Sequence, residues 1–219
     1  DVVAIDGPAG SGKSSVSRAV AGRLGWVYLD TGAMYRAVAL AAKRLGVDPG
    51  DGAGLGRLCR GLDLRLMPDG DRVRLFLAEE EVSDAIRTPE MDMLSSAVSA
   101  VPAVREAVTG LQRRMGEAGG VVAEGRDMGT VVFPRARYKF FLTASPQIRA
   151  ERRYRERLAR GEKVALARVT EEMQRRDRQD ASRSVAPLRA AEDARVIDTT
   201  DMTLEQVISS ITQAVRSGA

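Results

Sequence analysis

The residues able to do chemistry begin at the front of the chain, in "VVAIDGPAGSGKSSVSRAV". Gly7, Pro8, Ala9, Gly10, Ser11, Gly12, Lys13 and Ser14 spell G-x-x-x-x-G-K-S, with Ser15 next. The glycines let the backbone fold tightly and turn its N–H groups toward a phosphate chain. Lys13 can reach β- and γ-phosphates, and the Ser14 hydroxyl suits Mg²⁺. A helix starting here aims the positive end of its dipole at the same anion. The pattern implies ATP with Mg²⁺. It leaves open where the γ-phosphoryl group goes: water, a protein switch or a small acceptor.

Other charged groups stand where apolar runs end. Arg36 follows "DTGAMY", and Arg126 and Asp127 stand together in "EGRDMGTVVFP". Arg176, Asp180 and Arg183 are spaced by four and three, which places them on one face if the segment is helical. On residues alone, Arg126 and Asp127 also read as a local ion pair, and the latter three as a solvated, salt-bridged face. Arg149, Arg152, Arg153, Arg155, Arg157 and Arg160 crowd one helical stretch. An RNA-binding helix would look similar, but Glu151, Glu156, Glu162, Glu171 and Glu172 interrupt the positive stripe. No guanine-reading N/T-K-x-D segment is present, which argues against a GTPase switch.

Composition narrows the chemistry further. The chain has 219 residues, 44% hydrophobic and 29% charged, and a net charge of +4, an ordinary balance for one globular domain. It has four lysines and thirty arginines, a bias that suits phosphate gripping and equally reflects an Arg-rich genome. It has no histidine, so His-based acid–base catalysis and His/Cys metal cages are excluded. Phosphoryl transfer loses nothing by this, because it needs alignment and cationic stabilisation. Cys59 is the only cysteine, so no internal disulfide forms, and a cytoplasmic location is expected. The chain opens at Asp1 directly before an apolar run, so some native N-terminal residues are expected to be missing. No secretory leader or membrane-length run is visible.

The elements that must position these groups alternate. "VVAID" (2–6), "WVYLD" (26–30), "GGVVAEG" (119–125), "YKFFLTAS" (138–145) and "ARVIDTT" (194–200) read as five strands that suit a parallel, doubly covered sheet. Helical stretches separate them, and Ser145, Pro146 and Gly161 provide start and stop signals for one of these. The result is an α/β three-layer fold. The two alternating runs of "LDLRLMPDGDRVRLFL" (62–77), around Pro68-Asp69-Gly70-Asp71, signal a hairpin in an inserted subdomain. In an open α/β sheet, ligands bind outside the carboxyl ends of the strands, where the Arg and Asp groups stand.

In order along the chain, "GPAGSGKSS", "DTGAMYRA", "VSDAIRTPEM", "AEGRDMGTVVFP", "KFFLTAS" and "RDRQDASRSVAPL" resemble the bacterial cytidylate kinase family. The resemblance covers nearly the whole chain, and the hairpin insert is similar to that family's enlarged CMP-binding region. It implies a single P-loop kinase domain over 1–219. The core would be 1–35, 110–148 and 165–219, the CMP-binding region 36–109, and a helical lid 149–164. It implies transfer of the ATP γ-phosphate to CMP or dCMP, by a monomer, with no nucleic acid or membrane partner. By the same resemblance, Thr31 and Arg36 hold the CMP phosphate, and Ser96, Arg105 and Asp127 read the base. Arg126 holds phosphate, Arg176 and Asp180 contact the ribose, Arg176 also reaches phosphate, and Arg183 lies on the phosphate side. Lys13, Arg126, Arg176 and the lid arginines Arg152 and Arg153 are the expected catalytic groups. Cytosine suits such a set: its 4-amino group donates to a carboxylate, and its N3 and O2 accept. UMP, dephospho-coenzyme A and a nucleotide-gated RNA-binding ATPase remain the alternatives.

Overall fold

The computed structural model describes residues 1–69 and 72–218. In chain order, β1 (Val2–Asp6) leads through the glycine loop into α1 (Lys13–Leu24), and β2 (Val27–Asp30) runs directly into α2 (Thr31–Arg44). Next come α3 (Gly52–Arg60), the short strands β3 (Leu64–Asp69), β4 (Arg72–Leu77) and β5 (Glu80–Glu81), then α4 (Pro89–Val98) and α5 (Pro102–Gly116). β6 (Val121–Gly125) ends in one π-helical turn, Met128–Val132. β7 (Tyr138–Thr143), α6 (Pro146–Ala159), α7 (Leu166–Ala181), β8 (Arg195–Asp198) and α8 (Leu204–Ser217) complete the chain.

Local chemistry explains several boundaries. Ser145 caps α6 by accepting from the Ile148 N–H at 3.3 Å, with Pro146 at the first helical position. Thr88 caps α4 in the same way, ahead of Pro89. The strands expected over 119–125, 138–145 and 194–200 are a residue or two shorter at their ends, Val121–Gly125, Tyr138–Thr143 and Arg195–Asp198, and two further expectations change. Strand two begins at Val27, because the Trp26 N–H bonds back to Ala21 O at the end of α1. Arg183 is not helical, since α7 stops at Ala181, yet its guanidinium turns back onto Asp180 at 2.5 Å.

The main sheet has five parallel strands in the order β2-β6-β1-β7-β8. Alternation sends Val3 and Ile5 toward α1 and α8, where they pack with Val16, Val20, Ile208 and Ile211. Ala4, Leu29 and Ala123 face the opposite layer, built on Met34, Val38, Val104 and Val108 of α2 and α5. The second sheet, β3-β4-β5, is antiparallel, and β5 adds one strand to the expected hairpin. Gly70 and Asp71 of the expected turn lie outside the described residues. Leu64, Leu75, Val82 and Ile86 pack into the same core as α2, so the insert shares its apolar interior with the main layer. Among the described residues no helix is long and apolar enough to cross a membrane. The register aligns Asp6 with Gly125 and Asp30 with Glu124, so polar ends of β1, β2 and β6 meet at one edge of the sheet. The functional groups gather there.

Candidate functional site

A cleft of about 740 Å³ opens over that edge. Its walls come from the glycine loop, the first turn of α2, α4, the β6 end, α6 and α7. Every site residue named from the sequence lines this cleft except Gly7 and Pro8, which lie buried beneath it.

Gly7 and Gly10 are fixed by close approach. A Cβ on Gly7 would sit 2.0 Å from Leu142 O, and one on Gly10 would sit 2.7 Å from Arg149 O. The loop is therefore pressed against β7 and α6, and only glycine fits. Arg149 clamps it from below, donating to Ala9 O at 3.0 Å and pairing with Asp177 at 2.7 Å. Gly12 takes the N-cap of α1 in a left-handed conformation, and no side chain caps that helix end. Lys13 is buried, with Nζ donating to Pro8 O at 2.7 Å. Burial pushes its ammonium well below the ordinary value, Arg126 and Arg176 add to that, and Glu124 and Asp6 oppose it. The lysine head thus lies in a site that lacks enough negative charge, and a phosphate would supply it. Ser14 donates to Glu124 Oε2 at 3.0 Å. Burial raises the Glu124 carboxyl, with Asp30 adding to the effect, while Lys13 and the hydroxyl of Tyr28, which donates to it, pull it back.

The far end of the cleft holds a buried polar network. Arg105 of α5 donates to Ser99 O at 3.1 Å and directly to Asp127 Oδ2, and its guanidinium stands 5.7 Å over the Tyr35 ring. Burial pushes the Asp127 carboxyl up, against the pull of Arg105, Arg183 and Arg126. Asp180 accepts from Ser96 Oγ at 2.9 Å, from Arg126 Nε at 3.0 Å and from Arg183 Nη2 at 2.5 Å. Burial alone would raise Asp180, but Arg126, Arg183 and Arg176 hold it at about 2. Thr31 donates its hydroxyl to Glu124 O at 2.5 Å, a bond it must release to donate to a phosphate.

Between the two ends, Arg36 lies 3.4 Å from Asp30, and Asp30 also pairs with Arg87 at 3.3 Å. Arg36 Nε, Arg176 Nε and Arg183 Nε are buried and make no hydrogen bond among the described residues. Unmade bonds at buried cations are costly, so these donors mark where an anionic ligand fits. The two expected lid arginines divide. Arg152 is tied to the segment after β8, donating to Thr199 Oγ1 at 2.9 Å and Thr199 O at 2.7 Å, while Arg153 turns to Asp92.

Three acids were not singled out from the sequence. Asp92 faces Arg36, Arg153 and Arg176. Glu124 faces the phosphate loop, and Asp6 accepts from the Met128 and Gly129 N–H groups. Glu124 sits in "AEGRD" at a strand end, a position that could have drawn notice. Asp92 gives no such signal, because its partners lie on three other helices.

The sequence model of the cytidylate kinase family matches residues 3–217. A cytidylate kinase of Geobacter sp. strain M21 is 51% identical over 98% of this chain and 92% of its own. One from Mycobacterium leprae is 51% identical over 100% of this chain and 97% of its own. A solved Thermus thermophilus structure overlays 99% of this chain and 96% of its own at 20% identity, with a TM-score of 0.47, too loose to bear on function. With the match spanning both the phosphate loop and the polar network at the far end of the cleft, the chain belongs to the cytidylate kinase family.

Proposed function

We propose that this protein transfers the γ-phosphoryl group of ATP to the phosphate of CMP or dCMP, giving ADP and CDP or dCDP. The observation that carries this reading is one cleft lined by both the phosphate loop and the buried Asp127–Arg105 pair. Unpartnered guanidinium nitrogens line the space between.

ATP lies with its phosphates on the loop from Gly7 to Ser15, under the N-terminus of α1. Lys13 neutralises the phosphate oxygens as charge moves toward the leaving ADP. Arg36 and Arg126 grip the acceptor phosphate, and Arg176 stands between donor and acceptor, with Arg152 and Arg153 closing from the lid. Asp127, Arg105 and Ser96 read cytosine, and Asp180 takes the ribose hydroxyls with Arg183 beside it. Segment 36–109 is the acceptor-binding region and 149–164 the lid, whose closure excludes water as a competing acceptor. Ser14 and Glu124 offer oxygen ligands of the kind Mg²⁺ prefers. Mg²⁺ held there would take Ser14, Glu124 and nucleotide phosphate oxygens as its ligands. When bound, Mg²⁺ screens the phosphate charges. The protein acts as a cytoplasmic monomer on small molecules, without nucleic acid.

An ADP-release assay over a panel of CMP, dCMP, UMP, dephospho-coenzyme A and RNA tests this. Turnover that depends on cytidine nucleotides supports it. Preferred use of another acceptor, or RNA-stimulated hydrolysis without a phosphorylated acceptor, overturns it.

A further inference from the structure

Four helices meet at one carboxylate. Asp92 stands near the start of α4, and Arg153 of α6 donates directly to its Oδ2. Arg36 of α2 and Arg176 of α7 face Oδ1 at 3.6 and 3.5 Å. Those two contacts are ion pairs without a hydrogen bond, and both arginines keep a buried Nε unpartnered among the described residues. Burial works to raise the Asp92 carboxyl, but Arg176, Arg153 and Arg36 hold it below the usual range, so it is charged at neutral pH. Among the described residues, Arg153–Asp92 is the ion pair that joins α6 to α4. Nearby, Arg160 touches Arg87 O at 3.4 Å, and Glu156 steadies Arg153 at 2.8 Å.

We propose that Asp92 is a latch: in the substrate-free protein its carboxylate stands in for a substrate phosphate among Arg36, Arg153 and Arg176, holds the lid against the acceptor region, and gives way when nucleotide phosphates arrive. Three converging guanidinium groups need a counter-charge, and Asp92 is the carboxylate that faces all three. A phosphate carries more charge and more acceptor oxygens than a carboxylate, and it matches the guanidinium fork as well. The two anions repel each other, so a bound phosphate displaces Asp92 from the arginines it uses. A latch that keeps part of the population closed raises the apparent dissociation constant by the inverse of the open fraction. Its effect falls on binding, in ground and transition states alike, and so on KM rather than kcat. Asp92 is thus a positioning residue. The inference rests on the proposed function for which phosphate does the displacing, but the latch itself is a property of the substrate-free protein.

The test compares wild type, Asp92→Asn and Asp92→Glu by amide hydrogen exchange without nucleotide, and by steady-state kinetics. In Asp92→Asn, lid peptides over 149–164 should exchange roughly fivefold faster without nucleotide, the scale of one partly exposed ion pair. With saturating CMP and a non-hydrolysable ATP analogue, they should match wild type. KM for CMP should fall by a similar factor, roughly two- to fivefold, with kcat unchanged within about twofold. Asp92→Glu keeps the charge and should exchange like wild type. Unchanged lid exchange in Asp92→Asn, or an unchanged or higher KM, overturns the latch. Faster exchange throughout the chain, β1 and β6 included, marks general destabilisation and also overturns it. If wild type turned over no CMP, that failure would belong to the proposed function, and the lid exchange would still decide the latch.

Discussion

The carboxylate of Asp6, at the end of β1, holds the backbone of Met128: Oδ1 accepts the Met128 N–H at 2.8 Å, and Oδ2 accepts the Gly129 N–H at 2.8 Å. This one side chain fixes the turn that follows Asp127 to the strand that carries the phosphate loop. Burial pushes Asp6 up to about 6, against the pull of the two N–H donors. A raised carboxyl stabilises the fold fully below the unfolded value of 3.8, and that contribution is lost as pH rises through about 6. Activity runs the other way, because protonation makes the carboxyl a weaker acceptor for the two N–H groups, its hydroxyl oxygen above all. The expectation is that kcat/KM for CMP falls as pH drops below about 6. Asp6→Asn should have low efficiency toward CMP and no acid limb in this window. If the variant kept the wild-type limb, another group would be responsible.

Lys13→Ala should lower turnover by about 10²-fold or more, since it removes a preorganised charge at the reacting phosphates. The same change should not lower the thermal midpoint. Burial already works against the ammonium, so the folded protein carries Lys13 at a cost. Assays at saturating ATP and CMP, paired with a melting curve, check both statements. Near-normal turnover would remove Lys13 from the chemistry.

Asp180→Asn should be the most destabilising substitution in the cleft. It strips the charge that pairs with Arg126 and Arg183 while leaving both guanidiniums in place. Breaking one side of such a buried pair costs about 3–5 kcal/mol. The Asp180 carboxyl is held at about 2, so its stabilisation is present above the unfolded value of 3.8 and is lost as pH falls through about 2. Denaturant unfolding at a series of pH values should therefore show wild type and variant converging in acid. A gap that persists at pH 2 would point to shape rather than charge.

What the sequence showed depended on how local each signal was. The phosphate loop, the α6 cap at Ser145–Pro146 and the strand ends are all set by residues within a few positions of one another, so spacing revealed them. The acids that organise the cleft are set by distant partners. Asp6 meets Met128 across 122 residues, and Asp92 meets Arg153 across 61. No periodicity carries such a pairing. Ser96 and Arg105 are ordinary helix residues by pattern, and only family resemblance drew attention to them. The spacing of four and three puts Arg183 on one face with Arg176 and Asp180 only if it is helical, and it reaches Asp180 from beyond the helix end instead, because α7 stops at Ala181. The π-helical turn after Asp127 likewise depends on the carboxylate of Asp6, which its own sequence does not contain.

Asp127 should discriminate cytosine from uracil. Its carboxylate is buried against Arg105, and both groups line the cleft. An ionised carboxylate only accepts hydrogen bonds, and cytosine offers an amine at position 4 where uracil offers a carbonyl oxygen. Uracil would leave the buried carboxylate unpaired on that side, at a cost of roughly 1–3 kcal/mol and more for a charge. Asp127→Asn keeps the shape and gains an amide donor for the uracil oxygen. It also removes the counter-charge of Arg105, so some stability is lost with either acceptor. The diagnostic quantity is therefore the ratio of kcat/KM for CMP to that for UMP, in which a shared loss cancels. That ratio should fall by about tenfold or more, the factor that 1.4 kcal/mol of lost discrimination represents. KM for ATP should stay near wild type, because the loop around Lys13 is untouched. Equal proportional losses on CMP and UMP would mean that Asp127 acts only by holding Arg105 in place, and base reading would have to be assigned elsewhere in the cleft.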